Sequence, residues 1–187
     1  MKLLSKIFFI SLSIVFSAFL FTACDTSFKD IQRINRTEFS PISQSEDINL
    51  KYTDSGKVKA ILVSPLMLDF SNLEYGFNEF PKGVHVTLLD ENNRNNYVIA
   101  DYAITYSKSD IIDLQGNVKI TSHDGKVLET QQLYYDQKQD WFFTEKDFVF
   151  TDGEGGYLQG PGIDFSKDFK IFNMQQNKGQ TQISNDD

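Results

Sequence analysis

A short alternating pattern recurs three times in this chain and sets its fold class more firmly than any other feature. Val84-His85-Val86-Thr87 is matched by Val118-Lys119-Ile120-Thr121, and that in turn by Phe148-Val149-Phe150-Thr151, at steps of 34 and 30 residues. A companion segment repeats with it: Val98-Ile99 with Ile104-Thr105-Tyr106, Val127-Leu128 with Leu133-Tyr134-Tyr135, and Tyr157-Leu158 with Ile163-Asp164-Phe165. Side chains alternate between the two faces of a strand, so apolar residues at period two predict half-buried strands. Asp124-Gly125 and Asp152-Gly153 hold the same place in their units. Glycine accepts the positive φ that a tight hairpin turn demands. A fixed period of this size predicts stacked supersecondary units. Each unit holds two strands and a turn, so the chain is expected to be all-β, a roll of stacked hairpin repeats rather than a helical array.

Alternation also assigns faces. Val84, Val86, Val98, Ile104, Tyr106, Val118, Ile120, Leu133, Tyr135, Phe148, Phe150, Ile163 and Phe165 form the apolar rows, while His85, Lys119, Glu129 and Asp164 take the opposite face. Two sheets facing each other across these rows would make a sandwich or an open roll. The rows fit a filled, dry core. They fit equally an apolar groove that opens at the edges and admits acyl chains, because the alternation is the same in both.

The N-terminus constrains the compartment. Lys2 and Lys6 precede an apolar run of 17 residues, Ile7 through Ala23, which ends at Cys24, the only cysteine. A basic start, an apolar stretch and a small residue before the break read as a secretory signal. Thr22-Ala23-Cys24 resembles a lipobox, in which the thiol carries a diacylglycerol and cleavage leaves Cys24 as the new N-terminus; Phe21 stands where lipoboxes favour Leu. The alternative is an uncleaved anchor, since a span needs about 20 apolar residues. Both place the rest of the chain outside the cytoplasm, held at a membrane. The expected organisation is a signal peptide at 1–23, a lipid-anchored tether at 24–47, a β-domain at 48–175 and a polar tail at 176–187. Without Lys2 and Lys6 the formal charge of −8 becomes −10. Such a surface repels phosphate backbones and excludes nucleic acid as a partner.

Little in the sequence points to catalysis. His85 and His123 are the only histidines, and both fall at solvated positions, outward on a strand and beside a turn. A Ser-His-Asp arrangement has no support, and no cofactor or metal is expected. Gly153, Gly155 and Gly156 do not lead from a strand into a helix, as a phosphate cradle would require. Trp141, Phe142 and Phe143 could stack on sugar or fill core and rim.

Residues 118–135 have the form Val-x-Ile-Thr, Asp-Gly, Val-Leu-Glu-Thr-x-x-Leu-x-Tyr, which looks like the OstA/LptA-type repeat. Together with the export anchor and Gly160-Pro161-Gly162, the serial units over residues 48–175 resemble the LptC family of lipopolysaccharide-export proteins. The resemblance implies a twisted β-jellyroll, open at one side, with no enzyme activity. It implies that lipopolysaccharide passes from an inner-membrane ABC transporter to a periplasmic bridge protein of the LptA type, its acyl chains lying between the sheets. Neighbours would join by edge-strand pairing, the edge near Ile48 to Val63 facing the transporter and that near Tyr157 to Met174 facing the bridge. Gly160 and Gly162 sit where the family has glycines near the downstream contact; a bulge or tight bend explains them equally well. The place implied is the periplasmic face of the inner membrane, with Cys24 as lipid anchor where family members often use a transmembrane helix. Asn92 to Asn96 lengthens the first hairpin relative to the family. The competing reading is a surface-exposed lipoprotein that binds glycan or protein through a closed β-sandwich.

Overall fold

The computed structural model describes residues 39–174 and 178–180; the expected signal segment, Cys24 and most of the tether lie outside them. The chain divides into a unit up to Phe39 and a second unit from Ser40 onward, which holds every described strand. These strands are β1 (Ser43–Asp54), β2 (Lys57–Asp69), β3 (Phe77–Phe80), β4 (Val84–Leu89), β5 (Asn95–Ala100), β6 (Tyr102–Tyr106), β7 (Ile111–Thr121), β8 (Val127–Asp136), β9 (Trp141–Thr151), β10 (Tyr157–Ser166), β11 (Phe172–Met174) and β12 (Lys178–Gln180). All pair antiparallel in a single twisted sheet that is not a closed barrel.

The sheet becomes two layers because its long strands bend. In β7, Ile111–Gln115 pairs with β6 while Tyr97–Ile99 of β5 pairs with its other half, Lys119–Thr121. Likewise β2 pairs with β4 through Ala60–Val63 and with β3 through Leu68 and Asp69. The upper layer therefore holds β4, β5, β12 and the tips of the long strands near the Asp-Gly turns. The lower layer holds β3, β6, β11 and the opposite ends. The pairing register shifts where β7, β8 and β10 cross between layers. In β7 the crossing uses Gly116 and Asn117, at φ 72° and 45°, and in β10 it uses Gly162, at φ 77°. Extra residues of this kind bend a strand and sharpen its twist.

The first repeat is cut where the others bend. Between β3 and β4, Gly83 at φ 83° passes so close to its neighbour that a Cβ would lie 2.7 Å from the Ala100 carbonyl oxygen. Between β5 and β6, the Asp101 amide donates to the Gly116 carbonyl at 3.0 Å and Asn117 Nδ2 donates to Asp101 Oδ2 at 2.6 Å. The two Asp-Gly turns form as expected, with Gly125 at φ 86° and Gly153 at φ 83°.

Two boundaries differ from the pattern read in the sequence. β1 starts at Ser43, ahead of the expected residue 48, because Ser43 to Glu46 pair with Leu66 to Asp69 through backbone groups that demand no apolar side chain. β12 lies within the polar tail and pairs with Tyr157 to Gln159 for the same reason.

One core spans both layers. Phe148, Phe165, Ile120, Leu128, Leu133 and Val118 are its most deeply enclosed large side chains. An aromatic ladder crosses it. Tyr135 stacks on Phe142 at 4.5 Å, Phe142 on Phe165 at 5.1 Å, and Phe165 on Phe172 at 5.8 Å. Phe172 of the lower layer then meets Phe150 of the upper at 5.2 Å.

Candidate functional site

The site is the apolar space between the layers, bounded by β1 on one side and by β11 and β12 on the other. Of the expected lining residues, Val84, Val98, Val118, Ile120, Leu133, Phe148, Phe150, Ile163 and Phe165 are buried in the shared core, and Val86 and Tyr135 pack half-buried against it. Two do not join them. Ala103 takes the inward slot of β6, opposite Leu114, so Ile104 and Tyr106 face outward, opposite Asp113 and Ile111. The physical reason is register. Val98 pairs with Ile120, which pairs with Leu128 rather than Val127, so the companion segments match one residue out of step. A one-residue slip exchanges the faces of a strand.

The structure adds inward residues that periodicity missed, among them Ile48, Phe80, Ala100, Leu114, Leu128, Phe142 and Phe169. Leu128 and Phe142 stand in apolar pairs and triplets, where alternation alone cannot choose the inward member. Phe169 sits in a turn at φ 56°, outside any period, and its ring lies tilted against that of Phe165 at 5.1 Å.

Side chains thus fill the space between the layers, and its rim carries the exposed apolar surface. On β1, Ile48 is buried, while Leu50 and Tyr52 beyond it are 47% and 66% exposed. Leu62, Leu158 and Phe172 pack half-buried around the same space. Tyr135 donates its hydroxyl proton to Asp140, which also accepts from Lys167 Nζ at 3.1 Å. Burial first, then that hydrogen bond, push the Tyr135 phenol up. Burial alone would raise the Asp140 carboxyl, but the bonds from Tyr135 and Lys167 outweigh it and hold it low.

Of the segments from Ile48 to Val63 and from Tyr157 to Met174, β1 and β11 lie at the border of the sheet, while Ala60 to Val63 of β2 lies between β1 and β4. β1 pairs only with β2. β10 pairs on its far side with β12 through 157–159 and with β11 through 163–165. No described strand pairs with Gly160, Pro161 or Gly162 on that side. Gly162 is also the bulge of β10, where a Cβ would lie 3.3 Å from the Thr144 carbonyl oxygen.

Other features singled out in the sequence fall away from this space. The outward row Ile99, Lys119, Glu129, Val149 and Gln159 lines a surface depression of about 970 Å³, with Lys119 and Glu129 paired at 2.8 Å. The His85 ring lies 5.9 Å from that of Tyr97, and the His123 amide donates to Asn96 Oδ1 at 2.9 Å. Among the described residues no group of three or more His, Cys, Asp or Glu is placed to hold a metal ion. In the glycine-rich loop, the amides of Glu154 and Gly156 donate to Asp152 Oδ1 at 2.8 and 2.9 Å, so they are spent on the loop itself. The Trp141-Phe142-Phe143 trio splits, Phe142 entering the core and its neighbours facing outward.

The arrangement offers apolar burial and unpaired strand edges, the means of holding a greasy ligand and a neighbouring chain. A family model described as "Lipopolysaccharide-assembly, LptC-related" matches residues 8–182. No curated protein matches the chain at a significant level. That family acts in lipopolysaccharide transport, at the periplasmic side of the inner membrane, and is not a family of enzymes. Because the match runs over nearly the whole sequence and the all-β bent sheet agrees with it, the chain belongs to the LptC-related family of lipopolysaccharide-assembly proteins.

Proposed function

We propose that the protein receives the acyl chains of lipopolysaccharide between its two layers and passes them to a periplasmic bridge protein joined at its C-terminal edge. The observation that carries this reading is the continuous apolar inner face, which runs from β1 to β11 and leaves Leu50 and Tyr52 exposed at its rim. Each buried methylene contributes about 0.8 kcal/mol, so several chains offset the loss of packing among the side chains they displace. The Phe150–Phe172 contact links the layers at the C-terminal edge and parts when they separate there. Transfer between similar troughs is close to isoenergetic, because the chains exchange one apolar wall for another. The drive comes from ATP-dependent loading by a transporter that meets the β1 edge. Cys24, as a lipid-modified N-terminus, holds the protein at the membrane.

The filled interior favours a second reading, a closed sandwich that binds glycan or protein through its surface. A photo-crosslinking residue separates the two. At Val118 or Phe148 the trough reading expects lipopolysaccharide adducts; adducts confined to the outward Lys119 position refute it. Gly160→Arg is expected to abolish recovery of the bridge protein, and unchanged recovery removes Gly160 from the contact. Cys24→Ala is expected to lose the lipid mass increment and membrane fractionation.

A further inference from the structure

We propose that the outward face of the lower layer, on β6 to β9, binds uncharged sugar residues of the lipopolysaccharide polysaccharide; this extends the cargo reading above to the sugar end of the same molecule. The face is the one that Ile104 and Tyr106 joined unexpectedly. Its central row, set by register, runs Ile104, Asp113, Tyr134, Phe143, Asp164 and Asn173 across five strands and the β11 edge.

Asp113 is a carboxylate only 6% exposed on a face turned to solvent. Burying a charge is costly unless hydrogen bonds replace water. Gln115 Nε2 donates to Asp113 Oδ2 at 2.7 Å and Gln132 Nε2 to Oδ1 at 3.0 Å. Gln132 Nε2 also lies 2.7 Å from the Tyr134 hydroxyl oxygen. Burial chiefly, and then the Asp113 charge, raise the phenols of Tyr106 and Tyr134. Tyr134 accepts from Gln132 and keeps its own proton to donate. A carboxylate offers about four acceptor sites, more than two amides occupy.

The surroundings supply flat apolar surface. Tyr134 and Phe143 stack at 5.1 Å with 21° between their planes. Trp141 Nε1 donates to Asp164 Oδ1 at 3.1 Å, and Asn173 Nδ2 donates to the same oxygen at 2.7 Å. Sugars present hydroxyls that both donate and accept, around C–H faces that lie flat on aromatic rings. Ring faces beside fixed amides and carboxylates complement both parts. The charge selects further. Asp113, Asp164 and Glu79 share this face, and its rows carry no lysine or arginine. Such a face repels phosphate and acidic sugars and fits the uncharged stretches of a polysaccharide.

Trp141 is the only tryptophan, so its fluorescence reports this face alone. Detergent-solubilised full-length protein is titrated with lipid-free polysaccharide released from lipopolysaccharide, and separately with soluble peptidoglycan strands. A saturable change in Trp141 emission with the polysaccharide is expected. Losing one hydrogen bond or one ring contact is worth about tenfold in affinity, so Asp113→Asn and Tyr134→Ala should each weaken binding by about that much. Val149→Ala, on the upper layer, should leave binding unchanged, and each variant's thermal midpoint is measured to show that it folds. No response to polysaccharide, equal weakening by Val149→Ala, or tighter binding of peptidoglycan overturns the proposal. Acyl crosslinking from a photo-crosslinking residue at Phe148, in parallel samples given intact lipopolysaccharide, is a separate readout. Adducts without a Trp141 response sink the sugar face alone; a Trp141 response without adducts sinks the trough alone.

Discussion

Phe148 and Val149 are adjacent in β9 and face opposite ways, and truncating each measures what the inner face contributes. Phe148 is 2% exposed and Val149 42%. Phe148 lies between Thr130 of β8 and Gly160 of β10 in the pairing register. Both neighbours are small, and the ladders on either side fix the backbone, so the space left by Phe148→Ala cannot be refilled. Phenylalanine-to-alanine changes in cores cost about 3–5 kcal/mol, more where the site cannot collapse. The upper half of that range is expected here. Val149→Ala loses only strand propensity and partial burial, under about 1 kcal/mol. Urea titration followed by Trp141 emission reads both. With a slope of about 2 kcal/mol/M, Phe148→Ala moves the midpoint down by roughly 2 M and Val149→Ala by less than about 0.5 M. Equal shifts, or a larger one for Val149→Ala, would refute the assignment of faces.

At the paired hairpin turns, Gly153→Ala should destabilise by more than about 1 kcal/mol, because φ is 83° and the added Cβ would lie 2.9 Å from the Gly125 carbonyl oxygen. Gly56→Ala, also at positive φ but with open space around it, should cost less; equal losses in thermal midpoint would show that the close approach of the turns is immaterial. Tyr135→Phe removes the hydrogen bond to Asp140 and should cost about 1 kcal/mol, a drop of roughly 2–4 °C in thermal midpoint. In acid, hydrogen bonds from Lys170 and Ser166 hold Asp168 at about 2. Burial opposes but does not cancel the bonds from Lys126 and Ser122 that hold Asp124 at about 2. Both carboxyls are lower folded than the ordinary 3.8, so their contribution is complete above that pH and disappears as pH falls to about 2. The pairs are exposed, so the loss is small and salt should reduce it further; a midpoint insensitive to salt in this window contradicts the assignment.

The fold was legible because hairpin repeats write their period directly into the sequence. Val118, Ile120, Phe148 and Phe150 alternate with polar or outward residues, and the Asp-Gly turns mark where the chain reverses. What the sequence concealed was the bending. Gly116-Asn117 and Gly162 reset the phase in mid-strand, and Asp101 cuts the first repeat, so matching segments by spacing placed Ile104 and Tyr106 on the wrong face. Phe169 was hidden because a turn residue obeys no period. The polar Ser43 to Glu46 and Lys178 to Gln180 were hidden because an outer strand is held by backbone pairing. Whether the inner face is a core or a container is not written in alternation at all, since both require the same residues.

The most direct measurement is the separation of the two rims when the ligand enters. Spin labels at Tyr52→Cys beside the β1 edge and Ile171→Cys ahead of β11, in a Cys24→Ala background, use exposed positions and leave the core intact. Pulsed electron resonance then gives the distance between them with and without lipopolysaccharide. The account predicts a longer distance with intact lipopolysaccharide and no change with its lipid-free polysaccharide. An unchanged distance distribution under conditions where lipopolysaccharide is bound would contradict the claim that its acyl chains lie between the layers.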